Sequence, residues 1–463
     1  MTKTPTAPEG GRRQAKKVKP SGSAGAMASQ TPARRKSESL GSGVDLLEAM
    51  LERENLVRAW ERVKANQGAA GIDGRSIAET WQWLKADGWT ITREQLREGS
   101  YRPQPVRPVE IAKPDGGVRE LGIPNVLDRL IQQALLQVLT PVFDPQFSEW
   151  SYGFRPKRSA HDALRQAKKY VAEGRSWVVD IDLEKFFDRI NHDKLMTRVA
   201  RRVQDSRVLR LIRSYLEAGV MKDGVCVRRE DGTPQGGPLS PLLANIMLDD
   251  LDRFLEKRGH RFCRYADDCN VYVRSRRAGE RVKEAMTRFL ATELSLQVNE
   301  AKSAVEEARK RKFLGYSFHT GSKLRIASKS IERFKRNVRK LTKRNQSISL
   351  SKRLAMVSQY LQGWMSYFCL TEAPSVLREL DGWIRHRVRA CIWKTWFRIR
   401  TRVRNLRAFG LEERLVMRVA CASRGAWWLT GTKTLSRLLS AQWLSEQGLI
   451  SLHDRWQHLQ RAR

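Results

Sequence analysis

Two adjacent aspartates, Asp267 and Asp268, lie where two β-type runs meet, Phe262-Cys263-Arg264-Tyr265 before them and Cys269-Asn270-Val271-Tyr272-Val273 after. Asp-Asp is an ordinary turn pair, and alone it fits a hairpin tip exposed to water equally well. A second acidic strand changes the balance. In Trp177-Val178-Val179-Asp180-Ile181-Asp182 two-residue alternation puts Asp180 and Asp182 on one face, and the run leads directly into Leu183-Glu184-Lys185-Phe186-Phe187. A carboxylate at the end of a buried strand is costly without a cation beside it. An Arg could supply that charge, and so could a pair of divalent metals. Mg²⁺ favours hard oxygen donors, and two ions about 3.5 to 4 Å apart can activate an attacking hydroxyl and stabilise a departing phosphate.

Composition points to a polyanionic partner. The 463 residues include 87 Lys and Arg against 50 Asp and Glu, a net charge of +37. A chain acting on a small neutral metabolite gains nothing from that self-repulsion, whereas one that neutralises phosphates gains affinity and encounter rate. Hydrophobic content of 41% with 14 Trp excludes a wholly disordered basic protein. No run approaches the roughly 20 apolar residues of a membrane helix, and the basic N-terminus has no apolar segment behind it, so the expectation is a soluble, cytoplasmic chain with no membrane partner. The six cysteines form no C-x-x-C pair and are expected reduced and mostly buried. Helicase, kinase and dehydrogenase readings lack their glycine-rich phosphate loops.

The elements that must carry the acids follow in order. Residues 1–43 are Gly, Ser, Pro, Thr and Ala with basic clusters, and are expected to be a flexible tail. Leu46, Leu47, Met50, Leu51, Leu56, Trp60 and Val63 recur at helical spacing. The Asp115-Gly116-Gly117 turn joins Val109-Glu110-Ile111 to Val118–Leu121 as a hairpin. From there to about residue 320, β-type runs at 177–181, 262–265, 269–273 and 313–318 alternate with helical stretches at 162–172, 194–203 and 280–294, an α+β pattern. Beyond residue 321 strand signals nearly vanish. Ile331, Phe334, Val338 and Leu341 mark an amphipathic helix whose other face carries Lys335, Arg336, Arg339, Lys340, Lys343 and Arg344. Residues 321–463 hold 30 Lys and Arg against 8 acids.

At these residues the chain resembles a known family. Tyr265-Ala266-Asp267-Asp268 is similar to the YxDD box of reverse transcriptases, and the surrounding blocks, in the family's order from about residue 45, resemble group II intron reverse transcriptase/maturases. The resemblance implies a right-hand polymerase: α+β fingers and a ferredoxin-like palm over 44–320, an all-helical thumb/maturase (X) domain over 321–404, and a basic helical, DNA-binding-like region over 405–463 without an endonuclease domain. It implies that Asp182, Asp267 and Asp268 are catalytic and hold two Mg²⁺ ions. Asp182 is chosen over Asp180 because the family places an aromatic five residues on, where Phe187 stands; Asp180 either supports the site from behind or binds an Arg.

Lys113, Arg119, Phe187, Gln235, Gly236 and Lys302 are the implied nucleotide-binding residues. Gly236 and Gly237 would allow close backbone approach. Ser151–Pro156 resembles a block that abuts template or primer, and Phe313–Phe318 the primer grip. His161 and His192 are read as structural. Tyr360–Phe368 and Trp383–Trp396 resemble the maturase motif, with Arg336, Arg339, Lys340, Lys343, Arg344, Arg385, Arg387, Arg389 and Lys394 the candidates for RNA phosphates. The implied partners are group II intron RNA, an RNA template with a DNA primer, deoxynucleotides and target DNA, within a cytoplasmic, nucleoid- or ribonucleoprotein-associated particle; a homodimer is one oligomeric state left open. The alternatives are a catalytically silent RNA-binding splicing factor and a related bacterial reverse transcriptase of phage defence or repair.

Overall fold

A computed structural model describes residues 45–112, 117–222, 225–227, 231–233, 236–346 and 348–462. The expected tail, Lys113, Gln235 and the Asp115-Gly116 turn lie outside these residues. The apolar spacing of the first helix is delivered by two helices, α1 (Leu46–Leu51) and α2 (Arg53–Ala65), because Glu52 between them turns to an extended ψ of 138°. Next come α3 (Ile77–Trp83), opened by a Ser76–Glu79 capping box, and α4 (Trp89–Glu98), closed by Gly99 at φ +74°. The expected hairpin forms from β1 (Arg107–Ala112) and β2 (Val118–Ile123), with Ala112 opposite Val118.

Two long helices, α5 (Val126–Phe143) and α6 (Ala160–Ala172), lead to the acidic strand β3 (Trp177–Ile181). Helices α7 (His192–Ala200) and α8 (Ser206–Glu217) follow, then a short hairpin of β4 (Val220–Lys222) and β5 (Val225–Val227), then α9 (Ser240–Lys257). Strands β6 (Arg261–Tyr265) and β7 (Asp268–Val273) flank the Asp-Asp turn, and α10 (Arg276–Leu294) connects them to β8 (Ala304–Glu307). The sheet runs β6-β7-β3-β8 with every neighbour antiparallel, the strand–helix–hairpin–helix–strand order of a split βαβ, or ferredoxin-like, sheet.

Strand β9 (Tyr316–Phe318) pairs with β10 (Leu324–Ile326), so strand structure continues past residue 321 before the helices begin. These are α11 (Ser328–Leu341), α12 (Leu350–Phe368), α13 (Ser375–Thr395), α14 (Ile399–Ala408), α15 (Glu413–Ala420), α16 (Ala426–Thr430), α17 (Lys433–Leu438), α18 (Ala441–Glu446) and α19 (Leu452–Arg461). A boundary at 404/405 falls inside α14.

The palm sheet is buried on both faces. Val179, Ile181, Val271 and Val273 point into a core shared with α1, α2, α5 and α7–α10. Val178, Cys263 and Tyr272 point into a second core, built with α6, with Phe334, Val357, Leu361 and Ile384 of α11–α13, and with Leu439, Leu444 and Leu452 near the C-terminus. The last stretch of chain therefore shares the thumb's core. A small third core gathers Trp393, Leu406, Val416, Ala420, Leu429 and Leu435.

Candidate active site

Register puts the acids together. Ile181 of β3 pairs with Cys269 of β7, so Asp182, one residue on, comes level with Asp268, and Asp180 pairs with Asn270. Alternation gives Asp180 and Asp182 the face of Val178, and they lie where that face runs out of apolar cover. The β6–β7 turn is a two-residue loop, since Tyr265 pairs with Asp268, and Ala266 takes the positive φ of +59° that such a loop needs.

The turn is held from behind. Arg264, fully buried on β6, forms a bidentate pair with Asp252 of α9 (Nε–Oδ1 2.7 Å, Nη2–Oδ2 2.6 Å), and its Nη1 donates to the Ala266 carbonyl and to Asn245 Oδ1, each at 2.9 Å. Asn245 Nδ2 in turn donates to the Gly153 carbonyl at 2.9 Å. Gly153 belongs to the Ser151–Pro156 block, whose Tyr152 N–H donates to the Arg264 carbonyl at 2.8 Å; a Cβ on Gly153 would lie 2.2 Å from the Ala266 nitrogen. The block is a brace for the acidic turn, and it sets exposed Phe154 beside Tyr265 with ring centroids 6.5 Å apart.

Electrostatically the four carboxylates divide. Burial, then the charges of Asp267, Asp180 and Asp182, pushes Asp268 up to about 6, although its side chain still reaches solvent. Asp180 binds an Arg, the second of the two roles open to it: Arg311 Nε and Nη2 donate to its Oδ2 at 2.9 and 2.6 Å. Burial still raises the Asp180 pKa, with Arg311 opposing. Asp182 has Lys302 Nζ at 4.0 Å from its Oδ2, and the Asn299 N–H and Ser303 hydroxyl hold its backbone. Among the described residues no three His, Cys, Asp or Glu side chains are gathered closely enough to hold a metal ion. The donor set is nonetheless hard carboxylate oxygen whose mutual repulsion raises Asp268, and a divalent cation suits it.

The nucleotide-side residues are brought to the same place in part. Lys185 at φ +48° turns β3 into a short helical turn, where Phe187 is half-buried and packs edge-on against Phe186, 5.1 Å between ring centroids. The Thr233 and Gly232 N–H groups donate to the Phe187 and Ile190 carbonyls at 2.7 and 2.8 Å, which ties the start of the Thr233–Pro241 loop to this turn. His192 Nε2 lies 2.6 Å from the Gly232 carbonyl and keeps its structural reading. Gly236, at φ +125°, abuts β2: a Cβ there would meet the Gly122 carbonyl at 2.6 Å. Arg119 sits on β2 opposite Ile111.

In the helical domain Arg336, Arg339, Lys340, Lys343, Arg344 and Lys394 are exposed and Arg385 is half-buried. Arg389 is half-buried and bonded within the fold. Its Nε and Nη2 donate to the Leu439 and Ser436 carbonyls at 2.7 and 3.2 Å, so it pins α13 to the α17 end. Arg387 is partly committed too, with Nε donating to Thr342 Oγ1 at 2.7 Å. The Asp252–Arg264 pair was missed in the sequence because charged residues read as solvated; the available signal was Asp252 sitting in the apolar stripe of Leu248, Leu251 and Leu255.

Comparisons with known proteins identify two matched families along the chain. Residues 111–318 match the family described as reverse transcriptase (RNA-dependent DNA polymerase), and residues 331–410 match the group II intron, maturase-specific domain. The chain is 33% identical over 301 residues to protein YkfC of Escherichia coli (strain K12), covering 56% of this chain and 78% of that protein. It is 38% identical over 205 residues to the group II intron-encoded protein LtrA of Lactococcus lactis subsp. cremoris, covering 42% of this chain and 33% of LtrA. An uncharacterized 91 kDa protein in the cob intron of Schizosaccharomyces pombe is 34% identical over 207 residues, 45% of this chain and 25% of that protein. The chain thus spans a third or less of the last two.

Proposed function

The chain belongs to the group II intron-encoded reverse transcriptase/maturase family, and on that footing we propose that it is an RNA-directed DNA polymerase that also binds its intron RNA to promote splicing. Its fold is the right-hand polymerase arrangement, fingers and a ferredoxin-like palm followed by a helical thumb/maturase region. The observation that carries the polymerase reading is the register that brings Asp182 level with Asp268 at a two-residue turn braced by a buried ion pair.

In this reading Asp182, Asp267 and Asp268 hold two Mg²⁺ ions. When bound, the ions supply the charge that activates a primer 3′ hydroxyl and stabilises the departing pyrophosphate. Lys302, beside Asp182, attracts phosphate oxygens into the acidic site. Phe187 lies under the nucleotide sugar, and Gly236 gives the backbone room at the β2 edge. Lys113, Arg119 and Gln235 complete the nucleotide contacts. Arg336, Arg339, Lys340, Lys343, Arg344, Arg385 and Lys394 bind phosphates of the intron RNA, and that binding stabilises the folded ribozyme. With a target-DNA primer, the same site copies the intron into DNA for retromobility.

Asp267→Asn combined with Asp268→Asn is expected to abolish Mg²⁺-dependent primer extension on an RNA template while intron binding and assisted splicing persist. Loss of tight intron binding in the same variant would contradict the separation of the two roles. The second reading, a silent RNA-binding splicing factor, is motivated by the 30 cations against 8 acids beyond residue 320; it predicts no extension from the folded wild type.

A further inference from the structure

Helices α2, α3 and α4 enclose an apolar groove of about 880 Å³ whose lining includes none of the acidic-site residues. Two helical stripes build it. Leu56, Val57 and Trp60 come from α2, and Ile77, Trp81 and Leu84 from α3 and the turn after it, each set at three- and four-residue spacing along one face of its helix. Buried Leu51 of α1 and Leu130 of α5 also line it. The fold leaves part of these stripes in water: Val57 is 55% and Trp81 39% exposed, although Trp81 is stacked on Trp60 with 4.9 Å between centroids.

Charge around the groove is one-sided. Arg53 and Lys64 stand at the two ends of the α2 stripe, about 16 Å apart along the helix at 1.5 Å per residue. Lys85 and Arg93 belong to the wall made by the turn after α3 and by α4. Among the described residues Glu61 alone supplies a carboxylate to the lining. All four cations are exposed, and none is ion-paired among the described residues. Nearby arginines are paired, Arg97 with Glu48 at 2.6 Å and Arg207 with Asp45 at 2.7 Å.

An apolar floor ringed by unpaired cations suits a ligand that is apolar along one face and acidic along its edges. Charge speaks against two occupants from this chain. Residues 1–43 hold nine Lys and Arg against two acids, and a second copy brings another +37. Nucleic acid would suit the cations but not the floor, where Trp81 is already stacked on Trp60 with Lys85 over its ring at 5.3 Å, and where Leu56, Val57 and Ile77 are aliphatic. An amphipathic helix seats its i, i+3, i+4 and i+7 side chains in such a trough. We propose that the groove docks an acidic, leucine-rich segment of another protein, about three helical turns long to match the α2 stripe. Its apolar side chains pack on Val57 and Trp81, and its carboxylates meet Arg53, Lys64, Lys85 and Arg93. This surface is separate from the aspartates and from the basic helices beyond residue 328, and the inference does not rest on polymerase activity.

The test is fluorescence anisotropy with the full-length chain and a labelled peptide of about 16 residues, long enough to form a helix, with Leu at the i, i+3, i+4 and i+7 positions and Glu elsewhere. The controls are a Glu/Ser peptide with Ser at those positions and a Lys/Leu peptide of the same pattern. The wild type should bind the Glu/Leu peptide at least about tenfold more tightly than either control. Val57→Glu, which puts a charge in the groove, should weaken that binding about tenfold or more, while Ile91→Glu, an equally exposed change on α4 outside the groove, should alter it by less than about twofold. Arg53→Glu with Lys85→Glu should also weaken it about tenfold and flatten its salt dependence. A control peptide bound as tightly as Glu/Leu overturns the proposal, as do equal losses from Val57→Glu and Ile91→Glu. Single-stranded RNA serves as a parallel probe: a loss of RNA affinity with Val57→Glu as large as the loss of peptide affinity would make the groove a nucleic-acid site and overturns the proposal too. All the substituted side chains are exposed, and matching thermal melts confirm folding.

Discussion

Breaking the Arg264–Asp252 pair one side at a time and then on both sides separates what the pair contributes to stability from what it contributes to catalysis. Both side chains are fully buried and joined bidentately at 2.6 and 2.7 Å. Removing one partner strands the other charge in the core, which costs about 3 to 5 kcal/mol. Asp252→Leu and Arg264→Met are each expected to lower the melting temperature accordingly. The double variant removes both charges, so it should be more stable than either single one. It still lacks the Nη1 hydrogen bonds to Ala266 and Asn245, each 2.9 Å in the wild type and each worth about 1 kcal/mol, so recovery is incomplete. Catalysis should not recover with stability. The Ala266 carbonyl is one residue from Asp267, and a carboxylate misplaced by about 1 Å costs on the order of 100-fold in rate. The assay pairs thermal denaturation with single-nucleotide extension on an RNA template. A double variant that regains stability and extends at the wild-type rate would refute the positioning role, and single variants that lose less than about 1 kcal/mol would refute the buried charge pair.

Three further outcomes follow from the same geometry. Gly153→Ala forces a Cβ to within 2.2 Å of the Ala266 nitrogen, so extension should fall by about 100-fold or more while α6 and the sheet remain folded by circular dichroism. Asp180→Asn removes one partner of Arg311 and one of the charges that raise Asp268, and should slow extension by about tenfold or less, whereas Asp182→Asn should leave none; equal losses would show that Asp180 belongs among the metal donors. Asp128, buried and accepting from the Tyr101 hydroxyl at 2.8 Å, is pushed up to about 7 by burial. The folded chain therefore keeps a proton that the unfolded chain releases near pH 4, and the stability tied to that proton is lost as pH rises from about 4 through 7. Asp128→Asn should narrow the gap between the melting temperatures at about pH 6 and pH 8, and an unchanged gap would show that Asp128 does not titrate in that range.

The acids were legible because period-two alternation is local: Asp180, Asp182 and the Asp-Asp turn can be placed from a dozen residues. The palm's fourth strand was not, since Ala304-Val305-Glu306-Glu307 is a half-buried edge whose acids mask its pairing with β3. What each charge does was least legible of all. Arg389 looks like an RNA contact on a basic helix yet caps carbonyls of the α17 end, and Asp180 was resolved only by Arg311, 131 residues away. The same limit applies to residues 405–463. Their helices are short and basic, and what ties them to the thumb's core is the burial of Leu439, Leu444, Leu449 and Leu452 together with long-range bonds such as those of Ser451 and Leu452 to Asp381.

The most direct test of the central claim is extension of a DNA primer on an RNA template by the purified full-length chain, with Mg²⁺ and deoxynucleotides, beside the Asp182→Asn variant. The account predicts template-directed product from the wild type, loss of that product on chelation of the metal, and none from the variant. Product of equal yield from Asp182→Asn, or no product from well-folded wild type that still binds RNA, would contradict it.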